Sequence, residues 1–126
     1  MGRFSGYLLA CDMDGTLVSS GVVPQRNIDA IRMFTEEGGI FALATGRGVG
    51  AVSHALEKVG DFVGPSVVAN GCMIYDYSKK EILMQKEVKQ EFKEFICKSA
   101  ELFDEIGIEV HAEGEAYLLK GNSESI

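Results

Sequence analysis

Cys11-Asp12-Met13-Asp14-Gly15-Thr16-Leu17 is the stretch on which the fold turns. The apolar run Tyr7-Leu8-Leu9-Ala10-Cys11 leads straight into two carboxylates spaced i, i+2. Such a run reads as a strand buried on both faces, as in a parallel sheet. Strand side chains alternate, so Asp12 and Asp14 can lie on one side at the strand's end. Gly15 permits a turn that a Cβ would resist. Two carboxylates about 4 Å apart repel by about 4 kcal/mol at an effective dielectric of about 20. A cation relieves that repulsion, or one of the pair holds a proton. A hard dication with oxygen ligands, Mg²⁺, fits. The same letters occur in ordinary turns and in calcium loops. The calcium pattern needs a Glu six residues beyond the Gly, and Gly21 stands there. The strand ahead of the pair favours a site, because open α/β sheets bind ligands at the carboxyl ends of their strands.

Outward from this stretch, Pro24 suits the first turn of a helix. Ile28, Ile31 and Phe34 recur at helical spacing, and Gly38-Gly39 stops the helix. Residues 40–44 form a second apolar strand, so strand, helix and strand make a βαβ unit with parallel strands. Val49, Val52, Leu56 and Val59 line a second helix. Residues 66–69 are a third short strand, stopped by Asn70-Gly71, and 73–77 and 82–85 read as a hairpin around Ser78-Lys79-Lys80. The longest helix is expected over 89–106. Its stripe of Phe92, Phe95, Ile96, Ser99, Leu102, Phe103 and Ile106 is read as core packing. Ile108-Glu109-Val110-His111-Ala112 alternates as a strand, Glu113-Gly114-Glu115 turns, and residues 116–120 return. The polar stretch 121–125 is expected to fray. The change from βαβ to αββ places a domain boundary near residue 84: 1–84 as an α/β core, 85–126 as the start of an α+β unit.

Asp12-Met13-Asp14-Gly15-Thr16-Leu17 resembles the first motif of the haloacid dehalogenase (HAD) superfamily of phosphatases and phosphotransferases. Ala44-Thr45-Gly46-Arg47 resembles its second motif. The Thr-Gly-Arg form, followed by Val68-Ala69-Asn70-Gly71, is similar to the Cof-type branch, which carries its cap between the second and third motifs. The resemblance implies a Rossmann-like parallel sheet, here the first half of a HAD core, followed by the start of an α+β cap. It implies Mg²⁺-dependent phosphoryl transfer to and from small phosphorylated metabolites, in which charge neutralisation and positioning carry catalysis. Asp12 is then the nucleophile that forms an aspartyl-phosphate, and Asp14 the general acid and base. Mg²⁺ would be held by the Asp12 side chain and the Asp14 backbone carbonyl.

Thr45 can donate its hydroxyl to a phosphoryl oxygen or cap the helix that follows. Gly46 lets backbone come close. Arg47 can fork onto phosphate or sit in a surface ion pair. Asn70 can position substrate or simply turn the chain. Glu109 and His111 share one face of their strand and could help select a substrate or line a solvated face; His54 is expected at the surface. The superfamily's third-motif Lys or Arg and fourth-motif acids have no counterpart here, and Lys120 comes too early in the order. The expectation is an N-terminal piece of a longer protein or a short relative, with a sheet edge prone to self-association. A phosphomutase of the same superfamily and a non-catalytic binding protein are the alternatives.

Composition limits the other function classes. The chain has 126 residues, 46% hydrophobic and 25% charged, which is enough for a packed core. A net charge of −7 opposes binding to nucleic acid and to anionic membranes. No apolar run approaches a membrane span, and no secretory h-region precedes the first strand. Cys11, Cys72 and Cys97 lack framework or zinc spacing. They are expected to be buried free thiols in a reducing, cytoplasmic setting.

Overall fold

The computed structural model describes residues 2–112 and 115–120. The turn expected at 113–115 and the tail at 121–125 lie wholly or largely outside the described residues. The chain divides into two compact units, Met1–Gln85 and Lys86–Ile126.

In the first unit, β1 (Leu8–Cys11) pairs in parallel with β2 (Ile40–Leu43) through α1 (Gln25–Glu36). Leu8 faces Ile40 and Cys11 faces Leu43, the parallel βαβ arrangement that the periodicity predicts. α1 turns Ile28 and Ile31 into the core, and Gly38, at φ 88°, reverses the chain after it. Isolated pairs Phe41–Val63 and Ala44–Val67 then carry the parallel arrangement on to β3 (Pro65–Val68). Between those pairs a side chain replaces backbone pairing. The buried Ser66 hydroxyl accepts from Leu43 N–H at 2.8 Å and donates to the Gly64 carbonyl at 2.9 Å. β4 (Met73–Asp76) and β5 (Glu81–Gln85) complete an antiparallel β3-β4-β5 sheet. α2 (Val49–Ala55) is shorter than the apolar spacing predicts, yet Val52, Leu56 and Val59 are all buried.

The expectation that β1 is buried on both faces is not met. Leu8 is 64% exposed and Tyr7 and Leu9 are also exposed, whereas Phe41, Ala42 and Leu43 of β2 are buried. β1 pairs with β2 alone, so only one of its edges is covered by a described strand. Apolar content sets what a strand gains from burial and says nothing of what lies beside it. The core therefore centres on Met13, Phe41, Leu43, Val52, Leu56, Val63 and Val68.

In the second unit, α3 (Gln90–Leu102) is followed by an antiparallel hairpin of β6 (Ile108–Ala112) and β7 (Glu115–Lys120). The α3 stripe is not core packing: Phe92, Phe95, Leu102 and Phe103 are exposed. One helix and two strands offer too little surface to enclose four large side chains. The thiols depart from expectation as well, with Cys72 and Cys97 exposed and Cys11 half-buried. No helix among the described residues is long and apolar enough to cross a membrane.

The β4–β5 turn is held by a buried carboxylate. Asp76, 1% exposed, accepts from Ser78 Oγ at 2.6 Å, Ser78 N–H at 3.0 Å and Lys79 N–H at 3.2 Å. The Ser78 hydroxyl bond, helped by the Lys79 amide and ammonium against the opposing effect of burial, holds this carboxyl below its usual range. A depressed folded-state pKa gives stability that is present above the unfolded value of about 3.9 and lost as pH falls through the folded value. Asp76→Ala should cost about 1–3 kcal/mol at pH 7. In urea denaturation the gap from wild type should narrow as pH drops below about 4; a gap that stays constant down to pH 2 would contradict this role.

Candidate active site

Parallel pairing of β1 with β2 sets the geometry. Ala44 N–H donates to the Cys11 carbonyl at 2.9 Å, so Asp12, the first residue after β1, and Thr45, the second after β2, emerge at the same end of the sheet. Beyond β1 the side chains alternate: Asp12 is exposed, Met13 fully buried and Asp14 exposed. Met13 anchors the loop in the core and leaves both carboxylates facing solvent. Val18 N–H closes the loop onto the Met13 carbonyl at 2.9 Å, with Gly15 at φ 74° making the bend. A tight two-residue hairpin follows. Ser19 and Val22 exchange both backbone bonds across Ser20 and Gly21, whose positive φ values suit that turn.

Arg47 joins the two loops. Its Nε donates to Asp14 Oδ2 at 2.8 Å and an Nη to Oδ1 at 2.6 Å, a bidentate fork. The hydrogen bond to Asp14 raises the guanidinium further above its ordinary value, with burial opposing and the carboxylate charge helping. Both side chains are more than a third exposed, so solvent holds the pair to the small worth of a surface bridge, about 0.2–1 kcal/mol. Such a clasp orients without locking, and a doubly charged phosphate can compete for the guanidinium.

Thr45 is buried, and its hydroxyl oxygen accepts from Arg47 N–H at 3.2 Å. It does not cap α2: Gly48 stands at that position, with no side-chain bond. Asn70 N–H donates to the Thr45 carbonyl at 3.4 Å, and Ala69 N–H to the Arg47 carbonyl at 2.9 Å. Asn70 therefore sits against the second loop from the end of β3. Ala69, Asn70 and Gly71 all have positive φ, a run of left-handed backbone that Ala rarely adopts. Gly46 has a specific reason to be glycine, since a Cβ there would lie 2.8 Å from Asn70 Oδ1.

The acidic loop opens on a cavity of about 480 Å³ whose walls include Asp14, Thr16, Ser20, Arg26 and Arg47. Asp12 is not among its lining residues. Arg26 was not singled out by sequence reasoning. The signal was present, because a cation in the first turn of α1 opposes the helix dipole and needs another reason to be there. Glu109 and His111 pair with each other at 2.7 Å on β6, and His54 is a surface residue beside Glu57.

The donors suit Mg²⁺ in kind and fall short in number. Asp12 offers a carboxylate and Asp14 a backbone carbonyl, both hard oxygens. Among the described residues no cluster of three His, Cys, Asp or Glu could hold a metal, and the Asp14 carboxylate is already engaged by Arg47.

Fold and site together define an α/β protein with an acidic loop at the carboxyl end of a parallel sheet. The sequence model of the haloacid dehalogenase-like hydrolases matches residues 9–126, and the chain belongs to that family. It is 40% identical over 72 residues to an uncharacterized hydrolase of Schizosaccharomyces pombe, a match covering 55% of this chain and 24% of that one. A haloacid dehalogenase-like hydrolase from B. subtilis superposes with a TM-score of 0.77 at 25% identity, over 93% of this chain and 40% of that one. A HAD/COF-like hydrolase from Plasmodium vivax gives 0.69 at 29% identity, over 92% and 43%. The chain thus spans a quarter to less than half the length of these relatives.

Gly46→Ala should drive the Asn70 amide away from the second loop. The expected outcome is a displaced Asn70 side-chain NH₂ signal in ¹⁵N spectra with a loss of about 1–3 kcal/mol in stability. An unmoved Asn70 signal would contradict the close packing.

Proposed function

We propose that the chain carries the phosphoryl-accepting half of a phosphatase active site for small phosphorylated metabolites. The observation that carries this reading is the exposed pair Asp12 and Asp14, held on either side of buried Met13 at the carboxyl end of β1. One of the longer structural relatives, from Bacteroides thetaiotaomicron, is described as a phosphatase of this superfamily; its 20% identity supports the fold alone.

In this reading Asp12 attacks phosphorus, forming a carboxyl–phosphorus bond as the ester oxygen leaves. Asp14 gives its proton to that oxygen, then takes one from the water that cleaves the aspartyl-phosphate. The water oxygen ends on phosphate and Asp12 is regenerated. Asp14 must hold a proton for the first step, so the Arg47 clasp has to open, and an arriving phosphoryl group offers the guanidinium a better partner. Arg47 thereby passes from Asp14 to substrate. The Thr45 hydroxyl accepts from Arg47 N–H and keeps its own proton to donate to a phosphoryl oxygen. Gly46 and Asn70 set the path of the second loop. Arg26, on the cavity wall, adds a second cation for the substrate's charge. Mg²⁺, held by the Asp12 carboxylate and the Asp14 carbonyl, would neutralise charge on the phosphoryl oxygens.

The test is hydrolysis of an aryl phosphate with Mg²⁺ and with EDTA. Asp12→Asn should fall to background, and Asp14→Asn should lose about 10²- to 10⁴-fold in kcat. EDTA should abolish the wild-type rate. Full activity in Asp12→Asn would refute the nucleophile.

A further inference from the structure

The cavity beside the acidic loop, about 480 Å³, falls in the range that holds small ligands. Its wall indicates which part of a phosphate ester it takes. Asp14 and Arg47 line it, whereas Asp12 and Thr45 do not. The cavity therefore lies on the side of Asp14, the group proposed to protonate the leaving oxygen, and away from the attacking carboxylate. The organic part of the ester departs on that side.

Two kinds of group wait for it there. Thr16, Ser19 and Ser20 line the cavity, all are exposed, and their hydroxyls have no hydrogen-bond partner among the described residues. They suit the polar groups of a small metabolite. The second kind is a cation, Arg26. Asn27 Nδ2 donates to the Leu17 carbonyl at 3.1 Å, which ties the first turn of α1 to the acidic loop and fixes where the Arg26 stem begins. The guanidinium itself is exposed, with no ion pair or hydrogen bond among the described residues. Asp29, within helical reach at i+3, accepts instead from Gln25 Nε2 at 2.9 Å, and Ala30 at i+4 offers no acceptor. The first turn of α1 holds no acidic residue to offset this charge against the helix dipole. Arg26 is thus a cation in an unfavourable position, unpaired, on a flexible stem at the wall of a cavity. Asp14 and Arg47 are the other charged residues of that wall, and in the proposed function Arg47 passes to the phosphoryl group. Arg26 is left for something else on the substrate.

We propose, on the phosphoryl reading of the acidic loop, that the substrate carries a second oxyanion on its organic part, a carboxylate or another phosphate, and that Arg26 binds it. Arg47 takes the transferred phosphoryl group, and Arg26 selects doubly anionic esters over neutral ones of the same size.

Three phosphonates with one three-carbon chain test this: propylphosphonate, 4-phosphonobutyrate and propane-1,3-diphosphonate. Their carbon–phosphorus bonds resist hydrolysis, so binding is read without turnover. The whole chain is titrated in Mg²⁺ buffer, and the Arg26 and Arg47 Nε–H signals are followed by ¹⁵N NMR. All three probes should shift Arg47. The two doubly anionic probes should also shift Arg26 and bind about 2- to 5-fold more tightly than propylphosphonate, a modest gain because the guanidinium is exposed. The one that gains more identifies the preferred oxyanion. Arg26→Gln should abolish the gain and leave propylphosphonate binding unchanged. Arg32→Gln, the same loss of charge on the same helix, should retain the gain. Equal affinity for all three probes, an unmoved Arg26 signal, or the same loss of gain in Arg32→Gln would overturn the role of Arg26, while a shifted Arg47 would leave the phosphoryl reading standing. An Arg47 signal unmoved by every probe would sink both.

Discussion

Everything at the acidic end of the molecule depends on one pairing, the parallel register of β1 on β2. Leu8 opposite Ile40 and Cys11 opposite Leu43 put Asp12 level with Ala44, so Asp12 and Thr45 leave the sheet at the same end, one residue out of step. A shift of one residue would reverse every side chain and turn Met13 outward. Met13 is the check on that register: it is fully buried between two exposed carboxylates. The hydrophobic anchor and the polar pair are thus one device, since the energy that buries the methionine also fixes which way the aspartates face.

The second loop is built with fewer backbone bonds and more side-chain ones. Ser66 supplies the acceptor that Leu43 N–H lacks, and Thr45 accepts from Arg47 N–H. Asn70, in left-handed backbone, fills the space that Gly46 leaves open. Across the gap the Arg47 fork reaches Asp14, so the two loops are joined by an exposed ion pair of small worth. A weak clasp between strongly oriented loops suits the change of partners that the proposed function asks of Arg47.

Much of the fold was legible because periodicity reports on chain direction and secondary structure. The runs at Leu8, Ile40 and Val67 form the expected strands, and the apolar faces of α1 and α2 are buried. Burial was less legible, because apolar sequence reports a need for cover and not its presence. β1 and the α3 stripe look like core in the sequence and are exposed in the structure. At the acidic loop the residue types and spacing singled out the stretch, and the resemblance added the second loop, which the Arg47–Asp14 ion pair joins to it. What no pattern could give were contacts between residues distant in sequence: the Arg47–Asp14 fork, the Ser66 bridge and the placement of Arg26 on the cavity wall. Tyr77 is the extreme case, an ordinary strand-end tyrosine until its buried hydroxyl is seen to have no partner among the described residues.

The central claim is that the Asp12 carboxylate accepts the phosphoryl group. Acyl phosphates survive acid quenching, and borohydride reduces them to the alcohol, so a phosphorylated aspartate is read out as homoserine. Incubation with an aryl phosphate and Mg²⁺, followed by quenching, reduction and peptide mass mapping, should place homoserine at position 12 and nowhere else. Homoserine at position 14, or none at any aspartate, would contradict the account.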